Sequence, residues 1–354
     1  MQIIRGAESY KLSGCDVTVC FSADQKVLRL LQLTDMQIID ASQQRRPDRL
    51  SPAEQIAWQP DTVAHNFEDH VSSLIAQCNP HLIFITGDMV YGSFDDNGSV
   101  FERFCRFMDS FGVPWAPVFG NHDNETALGV DWQCARLEQS EYCLFCRGTV
   151  SGNSNYTLGI KQGNALIRTF YMLDSHGCLM HSGLYEDQLE WMKECSLRIG
   201  DAPSFVCMHH PVGEYYEAER AKGYADEDHL SYVIGVGNKA KDGDFGSKLE
   251  NYKRIKTLDV PGFYDLLKAC HTEAVFAGHF HSINTCILYR GIRWVFGLKT
   301  GQYDYHTPGQ IGGTLVTLAE GSFDIKHLPS LVPYAPFPRD SIIFKNFLTA
   351  PQED

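Results

Sequence analysis

Residues 82–88 read Leu-Ile-Phe-Ile-Thr-Gly-Asp, an apolar run that stops abruptly at Gly87 and Asp88. A short apolar run that is bounded by a turn signal predicts a fully buried strand. The preceding stretch, residues 62–78, carries its apolar side chains at helical spacing and predicts an amphipathic helix. Its apolar positions are Val63, Phe67, Val71, Leu74 and Ile75. A helix that leads into a buried strand is typical of the α/β fold class.

The same pattern recurs along the chain, since four further predicted strands end in a polar residue suited to metal binding. These strands are predicted at residues 27–33, 115–119, 204–208 and 274–277. The polar residues that close the five strands are Asp35, Asp88, Asn121, His209 and His279. One such residue is most often a turn or cap residue. Ligands of open α/β sheets bind outside the carboxyl ends of the strands, so five such endings predict one convergent site.

The remaining sequence fits a single domain that spans residues 1–354. Helices are predicted at 100–111 and 186–197, and a strand pair is predicted at 156–160 and 165–173. Residues from about 213 to 258 are polar and weakly periodic, which indicates an insertion near the site. The part from about 286 to 330 is predicted to be rich in β structure.

Composition excludes some classes of function. The formal net charge of −14 disfavours a non-specific nucleic-acid binder, because an acidic surface repels polyanions. No apolar run has the length of a membrane span, so no membrane partner is expected. The 12 cysteines and the lack of a visible signal segment predict a cytoplasmic protein, or a secreted one if a leader has been trimmed. The pair Cys143 and Cys146 lacks a second ligand pair and is interpreted as structural.

Five segments carry the chemistry, and together they resemble one family. They are TDMQ (34–37), TGDMVY (86–91), GNHD (120–123), VCMHHP (206–211) and GHFH (278–281). In this order they resemble the motifs of the calcineurin-like metallophosphoesterase superfamily. The resemblance covers roughly residues 27–281. It implies a two-sheet β-sandwich flanked by helices and a dinuclear metal centre.

The resemblance also implies a ligand set. Asp88 bridges the two ions, and Asp35 and His281 hold one of them. Asn121, His209 and His279 hold the other. Mixed oxygen and nitrogen donors suit iron, manganese or zinc, including mixed Fe/Zn or Fe/Mn pairs. Two ions about 3.5–4 Å apart can clamp the attacking and leaving oxygens of phosphoryl transfer, and a bridging hydroxide would be the nucleophile.

Two further residues of the GNHD segment are implied to be catalytic. His122 would protonate the leaving group or stabilise charge on the phosphoryl oxygens. Asp123 is expected to orient His122 as a neighbouring carboxylate. The residue after the predicted ligand His209 is His210, which either contacts substrate or packs.

The first motif departs from the usual D-x-H pattern, because Gln37 stands where the histidine is expected. A neutral amide oxygen is a weaker donor than imidazole. Tyr91 lies three residues after Asp88, as in the purple acid phosphatase branch, where a phenolate ligates ferric iron. Tyr91 is therefore predicted to be a metal ligand, with Gln37 or water as the alternative.

These observations predict an enzyme, a metal-dependent hydrolase of phosphate esters with a small phosphorylated substrate. A phosphomonoesterase is the preferred hypothesis. A phosphodiesterase acting on cyclic nucleotides, nucleic-acid ends or lipid head groups is the alternative. A non-catalytic scaffold that retains the fold is disfavoured, because a scaffold does not need seven metal-type residues. Residues 214–224 and 303–306 are interpreted as loops without chemistry, with lining of the mouth of the site as the alternative.

Overall fold

The computed structural model describes residues 1–39, 67–177, 182–224, 231–235, 240–249, 258–302, 304, 306–307, 309–319 and 321–334. Seven α-helices lie in these ranges. They are α1 (Gly6–Ser13), α2 (Phe67–Cys78), α3 (Ser99–Asp109), α4 (Val130–Gln139), α5 (Glu186–Ile199), α6 (Gly213–Lys222) and α7 (Phe263–Ala269). Two 3₁₀ turns occur at Gly92–Phe94 and Asp123–Glu125.

The strands of the described ranges form three sheets. The first eight strands are β1 (Gln2–Arg5), β2 (Val17–Phe21), β3 (Val27–Leu33), β4 (Leu82–Thr86), β5 (Trp115–Val118), β6 (Tyr156–Gln162), β7 (Ala165–Met172) and β8 (Ser204–Cys207). The others are β9 (Tyr232–Val233), β10 (Ser247–Lys248), β11 (Thr272–Ala277), β12 (Cys286–Tyr289), β13 (Ile292–Phe296), β14 (Gly312–Ala319) and β15 (Ser322–Pro329).

Strand order places the site-bearing strands next to one another in two sheets, with β5 at the edge of the smaller one. The five-stranded sheet has the order β15-β14-β3-β4-β5, and the eight-stranded sheet has the order β1-β2-β6-β7-β8-β11-β13-β12. Strands β3, β4 and β5 are parallel to one another, as are β8 and β11. Parallel neighbours present their carboxyl ends at the same edge, so each sheet gathers its strand-end residues in one place.

The two sheets pack face to face through aromatic side chains. Phe84 of β4 contacts Phe170 and Phe276 of the larger sheet, with ring centroids 5.6 and 5.1 Å apart. Phe205 lies beside both of those rings, at 5.4 Å from each. Helices α2 and α3 bury apolar faces in the core that contains the smaller sheet. Helices α5, α6 and α7 cover the outer face of the larger sheet. The predicted two-sheet sandwich flanked by helices is confirmed.

Several elements differ from the sequence prediction. The predicted helix at 62–78 is observed from Phe67, and residues 62–66 lie outside the described ranges. The β1-α1-β2 segment, α4 and α7 were not predicted. Helix α6 occupies the start of the polar insertion, where a loop was expected. The helix was missed because its buried side includes the charged Glu219, which hides the helical spacing of apolar residues. None of the helices in the described ranges combines the length and the apolar composition that a bilayer span requires.

Candidate metal centre

Three of the strand-end residues adopt left-handed backbone conformations where the chain leaves its strand. The φ angles are 52° at Asp35, 51° at Asp88 and 74° at His279. Residues other than glycine rarely adopt positive φ, and such strain persists where the surrounding structure enforces it. The turns also need glycine, because a Cβ on Gly120 would lie 2.2 Å from Asp88 Oδ1. The strand ends are therefore bent so that their side chains point to one centre.

Two buried carboxylates form one side of this centre. Asp35 and Asp88 are each 1% exposed, and their carboxylate oxygens lie within 4.8 Å of each other and of a ring nitrogen of His209. His281 Nε2 lies 3.4 Å from Asp35 Oδ1. Burial by itself would raise the pKa of Asp35, but the hydrogen bond to His281 and the charge of His209 outweigh it and lower the pKa to about 2. The centre is built to keep this carboxylate ionised.

Imidazole and amide groups form the other side. His209 Nε2 lies 3.1 Å from Asn121 Oδ1, and His279 Nδ1 lies 3.0 Å from the same oxygen. The other ring nitrogen of His209, Nδ1, lies 2.8 Å from the carbonyl of Thr86. Because a carbonyl only accepts, this contact places a proton on Nδ1 and leaves Nε2 to face the centre, as second partners of metal-bound histidines do.

The centre requires positive charge. His209 Nε2 faces two acceptors, Asn121 Oδ1 and, at 3.3 Å, Asp88 Oδ2. Burial lowers the pKa of His209, but the attraction of Asp88 outweighs it and raises the pKa to about 9 in the metal-free protein. A bound cation supplies the same charge without the proton, since metal binding displaces protons from its ligands. The donor set of carboxylate, amide and imidazole therefore fits a divalent or trivalent ion.

Comparison with known proteins agrees with this geometry. Residues 28–283 match the family model described as calcineurin-like phosphoesterase. The chain belongs to this family. The predicted family is thereby confirmed. The family is dinuclear metal-dependent, and the described residues include two groups of side chains that could hold a metal ion.

Individual relatives are more distant. Phosphatase DCR2 of Saccharomyces cerevisiae is 26% identical, over 62% of this chain and 39% of the relative. An uncharacterized protein of Schizosaccharomyces pombe is 29% identical, over 62% of this chain and 43% of the relative. The chain thus spans about two fifths of the length of these two yeast relatives. "Probable inactive purple acid phosphatase 14" of Arabidopsis thaliana is 25% identical, over 82% of this chain and 74% of the relative.

Solved structures with similar folds include a dimetal phosphatase from Danio rerio and a purple acid phosphatase from yellow lupin. The first is 11% identical with a TM-score of 0.47, and the match covers 88% of this chain and 99% of that one. The second is 13% identical with a TM-score of 0.47, and the match covers 87% of this chain and 52% of that one.

In this member of the family, His122 lies at the edge of the carboxylate side. Its backbone N–H donates to Asp88 Oδ1 at 2.9 Å, and its ring Nδ1 lies 3.0 Å from Glu125 Oε2. Ser93 donates to the same Glu125 oxygen at 2.9 Å. Burial lowers the pKa of His122, but the nearby Asp88 and Glu125 carboxylates outweigh it and raise the pKa. Its side chain keeps 14% exposure, so the ring is reachable from outside.

The carboxylate that contacts His122 differs from the predicted one. Asp123 accepts hydrogen bonds from the backbone N–H groups of Val90 and Gly120, at 3.0 and 2.8 Å. It thereby ties two strand-end loops together, whereas Glu125 faces the ring. Asp123 begins a 3₁₀ turn, and Glu125 stands three residues after His122, on the same side of that turn. That spacing was the sequence signal that could have identified Glu125.

Tyr91 lies against His122. The two rings are stacked, with centroids 3.9 Å apart and planes 28° apart. Tyr91 is 7% exposed, and Phe94 packs against its ring at 5.4 Å. These contacts place the phenol beside the centre, and its role as a metal ligand stays a prediction.

Gln37 contacts a residue that the sequence analysis missed. Lys299 Nζ donates to Gln37 Oε1 at 2.8 Å and to the carbonyl of Asp35 at 2.7 Å. Gln37 Nε2 faces Asp88 Oδ2 at 3.4 Å. Lys299 stands in the segment Gly297-Leu298-Lys299-Thr300, where a lone lysine gives no motif signal.

His210 lies beside the centre, because ring nitrogens of His209, His210 and His279 lie within 4.8 Å of one another. Its Nδ1 lies 3.0 Å from Ser175 Oγ and its Nε2 lies 3.1 Å from Ser182 Oγ. The ring lies 4.3 Å from that of His279, centroid to centroid. With both nitrogens engaged by serines, this arrangement favours the packing alternative over substrate contact.

The two segments interpreted as loops, residues 214–224 and 303–306, are partly described. Residues 214–224 lie mostly in α6 rather than in a loop. Of residues 303–306, Asp304 and His306 are described, and Asp304 Oδ2 lies 3.9 Å from His281 Nδ1. Tyr303 and Tyr305 lie outside the described ranges.

Proposed function

We propose that this chain is a dinuclear metal-dependent hydrolase of phosphate esters, with phosphomonoesters as its substrate class. The observation that carries the proposal is the meeting of two buried carboxylates with the imidazoles of His209, His279 and His281 at the ends of parallel strands. The name of one relative, phosphatase DCR2 of Saccharomyces cerevisiae, favours monoesters over diesters.

The proposed ligands fall into two groups that share Asp88. Asp35 and His281 hold one ion, with Tyr91 as a further proposed ligand. Asn121, His209 and His279 hold the other. The ions are iron, manganese or zinc, given the mixture of oxygen and nitrogen donors. When bound, they lower the pKa of a coordinated water and neutralise charge on the phosphoryl oxygens.

The remaining groups act on the leaving oxygen. Glu125 engages Nδ1 of His122, so Nε2 is the nitrogen that is left to donate a proton. The stacked ring of Tyr91 restricts rotation of the imidazole. His122 is thus set to protonate the departing alkoxide, a contribution of about 10²–10⁴-fold in general acid catalysis.

The test combines metal analysis with a substrate panel. The purified protein is expected to hold two ions per chain and to hydrolyse p-nitrophenyl phosphate faster than bis-p-nitrophenyl phosphate. With an alkyl phosphate as substrate, His122→Ala should lower kcat by about 10²–10⁴-fold and retain both ions. Faster cleavage of the diester would select the phosphodiesterase alternative. Metal-free protein without hydrolytic activity would reject the proposal in favour of a scaffold.

A further inference from the structure

The loop that carries Lys299 is fitted tightly onto the turn of the first motif. Thr300 N–H donates to the carbonyl of Thr34 at 2.9 Å. A Cβ on Gly301 would lie 2.0 Å from the carbonyl oxygen of Met36, so only glycine allows this approach. Lys299 itself is 2% exposed. Its position beside Gln37 is therefore enforced by the backbone on both sides.

Lys299 determines which end of the Gln37 amide faces the metal centre. A lysine ammonium has three donors and no acceptor, so it pairs with the amide oxygen of Gln37 rather than with the amide nitrogen. The NH₂ group is then turned towards Asp88. An amide NH₂ has no lone pair available for a metal ion. In this arrangement Gln37 cannot be the missing ligand of the first motif.

The ammonium also places a positive charge close to one of the two ion positions. Lys299 Nζ binds the carbonyl of Asp35, a proposed ligand of that position, and it interacts electrostatically with the carboxylates of Asp35 and Asp88. A nearby cation opposes the entry of a metal ion, and more strongly in a buried site than in water. The other position is prepared differently, because Thr86 holds His209 with Nε2 turned towards Asn121.

We propose that Lys299 and Gln37 form a unit that weakens the ion position of Asp35 and His281 relative to that of Asn121, His209 and His279. The two positions therefore fill unequally, and Lys299 is the positioning residue that sets the difference. This inference rests on the proposed function, since it requires that the centre bind metal.

The experiment is a calorimetric titration of the metal-free protein with Mn²⁺, with bound metal counted by elemental analysis. The wild type should show a tighter and a weaker binding event. Lys299→Met should strengthen the weaker event by roughly 10–100-fold, the range found when groups behind metal ligands are changed. Lys193→Met removes the same charge at an exposed position of α5 and should leave both events unchanged.

A double-mutant comparison shows whether Lys299 acts through Gln37. In a Gln37→Ala background, Lys299→Met should give a markedly smaller gain than in the wild type, because the amide is no longer there to turn. An equal gain in metal affinity in both backgrounds would show that Lys299 does not act through Gln37, and would overturn the proposed unit of the two residues. If Lys299→Met left both Mn²⁺ binding events unchanged, the positioning role of Lys299 would be overturned.

Two further variants assign each binding event to an ion position, so the proposal can be tested even if Lys299→Met does not fold. His281→Ala should abolish the weaker event, and Asn121→Ala should weaken the tighter one. The reverse pattern, or two equal events in the wild type, would overturn this proposal while the metal-dependent function stands. A wild type that binds no metal would overturn both.

Discussion

The two sheets make different contributions to the centre. The five-stranded sheet supplies the oxygen donors, since Asp35, Asp88 and Asn121 follow β3, β4 and β5. The eight-stranded sheet supplies the nitrogen donors, since His209 follows β8 and His279 and His281 follow β11. Neither sheet holds a complete proposed ligand group. The proposed centre therefore lies at the boundary between the two sheets, which we call the seam. Every group that holds one sheet against the other helps to keep the proposed ligands together.

The largest effect is expected where one oxygen donor serves both ion positions. Asp88→Ala should remove both ions and reduce hydrolysis to the level of the metal-free protein, because it leaves His209 without its charge partner and removes the shared ligand. His281→Ala, on the nitrogen side, should lose one ion. Elemental analysis of both variants decides the matter. Equal metal loss in the two would break the proposed division of roles.

A smaller effect is expected at Glu125, which belongs to the oxygen side without facing either ion position. Glu125→Gln should lower kcat by roughly 10–100-fold while metal content is kept, because the imidazole of His122 loses its carboxylate partner. The loss should be greater for alkyl phosphates than for p-nitrophenyl phosphate, since an alkoxide needs the proton more.

Asp123→Asn is the matched comparison for Glu125. Its carboxylate binds the backbone N–H groups of Val90 and Gly120, so the change should lower stability and leave the dependence on the leaving group intact. If Glu125→Gln affected all substrates equally, its role would be structural and the two carboxylates would not differ.

The next prediction concerns Tyr91, the further proposed ligand at the ion position of Asp35 and His281. Under the inference on Lys299, the amide of Gln37 does not serve as a ligand at that position. Tyr91→Phe should weaken one ion by about tenfold, or about 1.4 kcal/mol, and leave the other unaffected. With ferric iron bound, the wild type should be coloured by phenolate charge transfer and the variant should be bleached. An iron-loaded protein that keeps its colour in Tyr91→Phe would reject phenolate ligation.

The smallest effect on activity is expected at His327 of β15, which binds the segment between β11 and β12. His327 Nε2 donates to the carbonyl of Asn284 at 2.6 Å, and its Nδ1 lies 3.0 Å from Thr314 Oγ1. Burial lowers the pKa of His327 to about 4, although the bond to Asn284 opposes the shift. The unfolded chain therefore binds more protons between pH 6.5 and 4, and the stability that His327 contributes is lost as the pH falls through this window.

The measurement is the free energy of unfolding at pH 7 and pH 5. Between these values the wild type should lose about 2 kcal/mol more than His327→Gln. His271→Gln, at an exposed position, should behave as the wild type does. An equal loss of unfolding free energy in the wild type and in His327→Gln would show that protonation of His327 does not contribute to the pH dependence of stability.

The sequence predicted the ligand-bearing strands well, because strand ends are local patterns. The run that ends at Asp88 shows its apolar period and its turn glycine within seven residues. Lys299 was missed for a different reason. Its importance depends on which amide it meets after folding, and it lies 262 residues from Gln37. Glu125 had a local signal, since it stands three residues after His122. The role expected of Asp123 was misplaced because the direction of a side chain in a 3₁₀ turn is not visible in the motif.

The distance along the chain between partners also sets the order in which the centre can be assembled. The backbone N–H of His279 donates to the carboxylate of Asp35, 244 residues earlier. During synthesis the carboxylates of the smaller sheet leave the ribosome long before the imidazoles that complete them. A growing chain lacks His279 and His281 until the segment that follows β11 has emerged, so neither proposed ligand group is complete before then. Under the proposed function, metal binding then stabilises only a chain in which the ends of both sets of parallel strands have come together.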